Sequence, residues 1–174
     1  MNEGSNRGLG RILLLIGRIA LAAVFLYAVY GKSKPMTPGP WSVSSVKTSL
    51  LMFAMEIDSY QMLPENLVSP AAHALPAVEL LVGLLLLSGL YLRWTGTATT
   101  VLLAVFFGVM VRAYALGLEI NCGCFGPGEK LGPASLLRDG SLLVLSLAVT
   151  IGAFLIDRRH FVAPGPAPTP QHAE

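Results

Sequence analysis

The chain has 174 residues, 53% of them hydrophobic and only 13% charged, with a mean hydropathy of +0.64. This is not the composition of an ordinary soluble domain, and a net charge of +2 from scattered Lys and Arg excludes nucleic-acid binding, which needs basic side chains clustered on one face. The only cysteines are Cys122 and Cys124, which excludes a multi-bridge disulfide framework.

Residues 1–10 read as a flexible N-terminus and residues 11–160 as one integral membrane domain. A membrane span needs roughly 20 mostly apolar residues. The first runs over 12–30, with Arg18 as its single charge, near enough to the helix end to snorkel. It exceeds the roughly 7–15 residues of a signal-peptide core and no small-residue cleavage site follows, so a retained span is predicted. The connection 31–72 opens with the turn-rich SKPMTPGP. It then places Val46, Leu50, Phe53, Ala54 and Ile57 at helical spacing, which predicts a short amphipathic helix at the interface or capping the bundle.

The second and third spans run over 73–92 and 96–118. Only the residues around Arg93, Trp94 and Thr95 separate them, which predicts an antiparallel hairpin with Trp94 at headgroup level. His73 falls at the membrane boundary, and Pro76 falls in the first turn or kinks the helix. The fourth span covers 134–156 and ends at Arg158 and Arg159, and the Pro-rich residues 161–174 read as a disordered tail. The expected fold class is therefore all-α: a four-transmembrane-helix bundle in a lipid bilayer, with an interfacial amphipathic helix between spans one and two. Four spans put both termini on one side and the cysteine loop on the other. Lys and Arg are evenly divided between the two sides, so charge alone does not orient the chain, and the sequence leaves the oligomeric state unknown.

An ionisable residue inside a span is costly and points to a functional site or a buried pair. Glu79 and Arg112 sit at matching depths of the predicted hairpin, which predicts an intramembrane ion pair. Gly96, Thr100, Ala104, Gly108 and Arg112 follow one another at four-residue steps, a small-residue stripe that directs Arg112 into the bundle. The same two charges could serve a small-solute transporter, but their depth is nearer one face than the midplane.

The segment NCGCFGPG places Cys122 and Cys124 in a Gly-rich loop just after the third span. Two thiols separated by one glycine close only a small, strained ring, so a bond between them is reducible and suited to exchange rather than stapling. Two other readings compete with it. Structural cysteines usually sit in apolar surroundings, unlike this polar loop. A metal site needs further ligands and no His lies nearby in sequence, so none is expected. Arg112, Lys130 and Arg138 are the nearest cations that could stabilise a thiolate.

The first span ending in YGKSKP, the segment YQMLPENLVSPAAHALPAVELLVGLLLLSG and the segment NCGCFGPGEKLGPASLLRDGSLL together resemble the DoxX-like membrane proteins, and within them the MauE branch. The resemblance covers nearly all of residues 11–159 and implies a four-helix membrane bundle. MauE members are associated with production of the methylamine dehydrogenase β-subunit, with disulfide formation as the contribution usually proposed. The resemblance therefore implies a protein of the bacterial cytoplasmic (inner) membrane, with methylamine metabolism as context. Its cysteine loop would lie on the outer face, with Cys122 and Cys124 exchanging thiol–disulfide equivalents with a partner protein that carries thiols. No cofactor is firmly implied. The alternative is a non-enzymatic DoxX-like scaffold or quinone-associated subunit in which the cysteines are incidental.

Overall fold

The structure is a computed structural model that describes residues 3–34, 42–125 and 129–160. Its regular elements are five helices: α1 (Glu3–Ser33), α2 (Val43–Ser59), α3 (Glu65–Ser88), α4 (Leu92–Ala115) and α5 (Pro133–His160). Four of them, α1, α3, α4 and α5, are long and apolar enough to cross a bilayer, so the chain is a multi-pass helical membrane protein. The spans start and stop differently from the sequence expectation. α1 begins at Glu3, inside the stretch read as a flexible terminus, and continues through Lys32 to Ser33. α3 starts at Glu65, eight residues before the expected boundary, with Pro64 as its N-cap residue. The expected disordered tail, 161–174, lies outside the described residues.

The four spans form a closed ring in which α1 packs on α3, α3 on α4, α4 on α5 and α5 on α1. Neighbouring spans are antiparallel: Gly17 of α1 lies against Val149 of α5, while Gly152 of α5 lies against Leu14 of α1. Their inner surfaces meet in a cluster of Leu21, Ala22, Phe25, Val82, Leu86 and Val149. Large apolar side chains such as Leu13, Leu81, Val105 and Val144 point outward, as a lipid-facing surface requires. Because lipid tails are as apolar as leucine, close contact rather than hydrophobicity holds the helices together. A Cβ placed on Gly96 would stand 2.8 Å from the Thr150 hydroxyl, and Thr100 and Thr150 share a hydrogen bond of 3.0 Å at the same α4–α5 crossing.

The small-residue stripe holds only at this end. Four-residue steps advance about 400°, so each one drifts about 40° round the helix. By Gly108 the stripe faces open space, and Arg112 is exposed.

α2 is capped by Ser42, whose hydroxyl accepts from the Ser45 amide while the Ser45 hydroxyl accepts from the Ser42 amide. Its Phe53 and Ala54 are buried against Val68 and Ala72 of α3, with Ile57 and Leu75 alongside. The predicted amphipathic helix therefore exists, and its apolar side is spent on the early turns of α3. Pro70 and Pro76 lie within α3, not at its start. Each lacks the N–H that would bond the carbonyl four residues back, which loosens the ladder of the half-helix that carries α2.

Candidate functional site

The cysteine loop leaves α4 at Gly117 and returns to Pro133, the first residue of α5. A short antiparallel pairing closes it: Leu131 N–H donates to Ile120 O at 2.9 Å, and Cys122 N–H donates to Glu129 O at 2.7 Å. Residues 126–128 lie outside the described structure. Between the two arms, Gly123 adopts φ +68, which a side chain rarely tolerates, and its Cα approaches α2 so closely that a Cβ would stand 2.9 Å from Glu56 Oε2. From α2's C-cap the Tyr60 hydroxyl donates to Cys122 O at 2.9 Å. Phe125 packs against Tyr27 of α1 with ring centroids 5.8 Å apart.

Both thiols are free and turn inward. Cys122 Sγ lies 4.0 Å from Asp139 Oδ2 and accepts from Arg138 Nη2 at 3.7 Å. Cys124 Sγ lies 3.7 Å from Met110 Sδ on α4 and donates to Cys122 O at 3.6 Å. The Arg138 guanidinium is fixed by three neighbours: it bonds the Glu129 carboxylate, donates to Asp139 at 3.3 Å and lies 4.3 Å from the centre of the Phe125 ring. Of the three cations named from sequence, Arg138 is therefore the one that reaches a thiol. Lys130 and Arg112 are both exposed.

The two thiols are driven apart in acidity. The Cys122 thiol lies below the ordinary thiol range because the Cys124 side chain hydrogen-bonds to its sulfur, with Arg138 adding a favourable charge. The Cys124 thiol is pushed up, first because it supplies that hydrogen bond and then by burial. Burial also raises the Tyr60 phenol, so it stays a donor to the loop, and raises the Glu56 carboxyl against the opposing pull of Lys32. The arrangement makes Cys122 the more acidic of the two thiols.

The expected Glu79–Arg112 pair does not form. Glu79 Oε1 instead accepts from Lys32 Nζ of α1 at 2.5 Å, with both side chains almost wholly buried. Depth alone misled the expectation, because helical phase decides which side chains meet. Lys32 continues the buried stripe Leu21, Phe25, Ala28, and Glu79 continues the stripe Ala72, Pro76, Val82, Leu86. Arg112 lies about 100–160° away from the buried face of α4 formed by Thr95, Thr99, Met110 and Ala113. The Lys32 stripe was readable at four- and three-residue spacing; ending the span at residue 30 concealed it. Arg18 reaches toward the end of the spans, its guanidinium against Gly89 at the α3–α4 turn.

Between this ion pair and the thiols lies a cavity of about 550 Å³, lined by all four spans and α2. Its walls are mostly apolar, with Lys32, Glu56, Glu79, Tyr60, Asp139 and the two cysteines as its polar groups.

The family described as methylamine utilisation protein MauE matches residues 10–152. The chain belongs to the MauE family. The matched stretch takes in both cysteines, Arg138, Asp139 and the Lys32–Glu79 pair, so every group of the site lies within the MauE region. No curated protein and no solved structure matches the chain.

As for metals, the MauE loop offers more than its sequence implied. The Sγ atoms of Cys122 and Cys124 and a carboxylate oxygen of Asp139 all lie within 4.8 Å of one another. Three ligand atoms are the number a catalytic zinc site uses. Here, however, the Arg138 guanidinium already takes both Asp139 oxygens and the Cys122 sulfur, a charge arrangement that favours a bare thiolate over a dication.

Proposed function

We propose that this MauE-family protein handles thiol–disulfide equivalents at the outer face of the bacterial cytoplasmic membrane. In this reading Cys122 and Cys124 interconvert between dithiol and disulfide, and the thiol–disulfide exchange supports maturation of a partner protein such as methylamine dehydrogenase. The observation that carries the proposal is the pair of free thiols held within 4.8 Å of each other, with Arg138 Nη2 3.7 Å from the Cys122 sulfur. Exchange at a disulfide needs one sulfur that the partner's thiolate can reach and one that leaves readily as a thiolate. Structural cysteines need neither. Cys122 is 4% exposed and Cys124 more accessible, so the partner's thiolate attacks Cys124 of the disulfide and Cys122, the more acidic thiol, leaves. The wider kinship with DoxX-like proteins belongs to the same proposal.

Single Cys→Ser variants test it by trapping. Cys122→Ser should accumulate a covalent, reductant-sensitive adduct with the partner, and Cys124→Ser should not. The double variant should insert and fold as the native chain does yet fail to support maturation. A double variant that supports maturation normally would sink the exchange reading in favour of a DoxX-like scaffold whose cysteines are incidental.

A further inference from the structure

The cavity beside the thiols has features that disulfide exchange with a protein does not use. Its volume of about 550 Å³ falls within the ~300–1,000 Å³ typical of small-molecule sites. Ala74 of α3 and Val105 of α4 both line it and are both exposed, which marks its opening. Val105 lies midway along a membrane span, so this opening faces the hydrocarbon and admits a lipid-dissolved occupant, while exposed Met62 and Leu63 line the cavity at the α2–α3 connection. At the cavity's polar end stand Lys32, 3% exposed, and Glu79, 4% exposed. Glu79 Oε1 accepts from Lys32, but Glu79 Oε2 is buried with no hydrogen-bond partner among the described residues. The Lys32 ammonium lies 4.9 Å from the centre of the Phe53 ring and 5.9 Å from that of Phe106, so aromatic faces flank its remaining N–H groups.

We propose that this cavity binds the ring of a membrane-dissolved isoprenoid quinone, which oxidises the Cys122–Cys124 dithiol; the inference rests on the exchange reading above. A phospholipid chain would offer Lys32 no acceptor and Glu79 Oε2 no donor, and Oε2 stays unsatisfied, at a cost, until quinol forms. A quinone carbonyl accepts from Lys32, and the hydroxyl formed on reduction donates to Glu79 Oε2. The ring itself fits the apolar, aromatic walls. The redox step balances without any other reactant. Both S–H bonds break, one S–S bond forms, and the two electrons and two protons released convert the quinone's two carbonyls into the two hydroxyls of the quinol. Lys32 and Glu79 act here as binding groups, and the cysteines are the reacting ones.

The test uses the full chain in lipid nanodiscs, reduced and kept free of oxygen, with decylubiquinone and menadione as probes. One quinol should form for each pair of thiols lost. Ala74→Trp, at an exposed position of the opening, should raise the half-saturating quinone concentration about ten-fold. The same variant should leave oxidation of the pair by oxidised glutathione at its native rate. If neither probe is reduced while oxidised glutathione closes the pair and the partner adduct still forms, the quinone inference falls and the exchange reading stands. If Ala74→Trp leaves quinone dependence unchanged, the cavity is not the binding site. If no oxidant closes the pair, the exchange reading falls and takes this inference with it.

Discussion

Cys122 is held from three elements at once: Tyr60 of α2 bonds its carbonyl, Glu129 across the loop takes its amide and Arg138 of α5 reaches its sulfur. Its acidity follows from this fixation, because a hydrogen bond or charge shifts a thiol only if it stays in place. A thiol lowered below its ordinary value is already ionised at pH values where a free cysteine is still protonated. Methyl methanethiosulfonate, small enough to enter the cavity, should therefore modify Cys122 at lower pH than Cys124, with mass spectrometry assigning the site. Arg138→Gln should move the Cys122 profile to higher pH, and coincident profiles for the two cysteines would contradict the assignment. The sequence showed the pair and the glycine between its members. It also narrowed the helpful cation to three residues. It did not show Asp139, because the loop's return path sets the distance between α5's second turn and Cys122, and no local spacing encodes that path.

At the scale of elements, the Lys32–Glu79 bond ties the last turn of α1 to the middle of α3. Removing one member of a buried ion pair strands the other charge at a cost of roughly 3–5 kcal/mol, whereas replacing both with apolar groups is often near neutral. Lys32→Met or Glu79→Leu alone should therefore reduce the yield of folded protein in detergent, and the double change should restore most of it. Losses that simply add would mean the bond contributes little. Glu79 was legible as a buried charge because hydropathy makes any intramembrane carboxylate conspicuous. Its partner was not, since a lysine two residues beyond an apolar run reads as a loop residue until the helix is seen to continue. The α4 stripe failed for a related reason: four-residue spacing holds one face for about two turns and then rotates away from it.

Over the whole molecule, four spans place the termini on one side, with α2 and the cysteine loop together on the other. The exchange proposed above predicts a loop on the outer face, because disulfide chemistry persists in oxidising compartments. A reporter active only in the cytoplasm, fused after residue 174, should give signal. Silence there, together with activity from an export-dependent reporter, would invert the orientation. Span number and order were readable in the sequence because runs of apolar residues have few other interpretations. The ring closure of α1 on α5 was not, because it joins the most distant spans. The buried ion pair also bears on how such a chain is made. Lys32 precedes Glu79 by 47 residues, so the first span leaves the ribosome well before its counter-charge has been synthesised. Until then the ammonium is most stable at the bilayer surface, and α3 faces the opposite problem if it enters alone. Joint entry of α1 and α3 neutralises both charges in one step, making the first half of the chain a hairpin whose biogenesis depends on both its members.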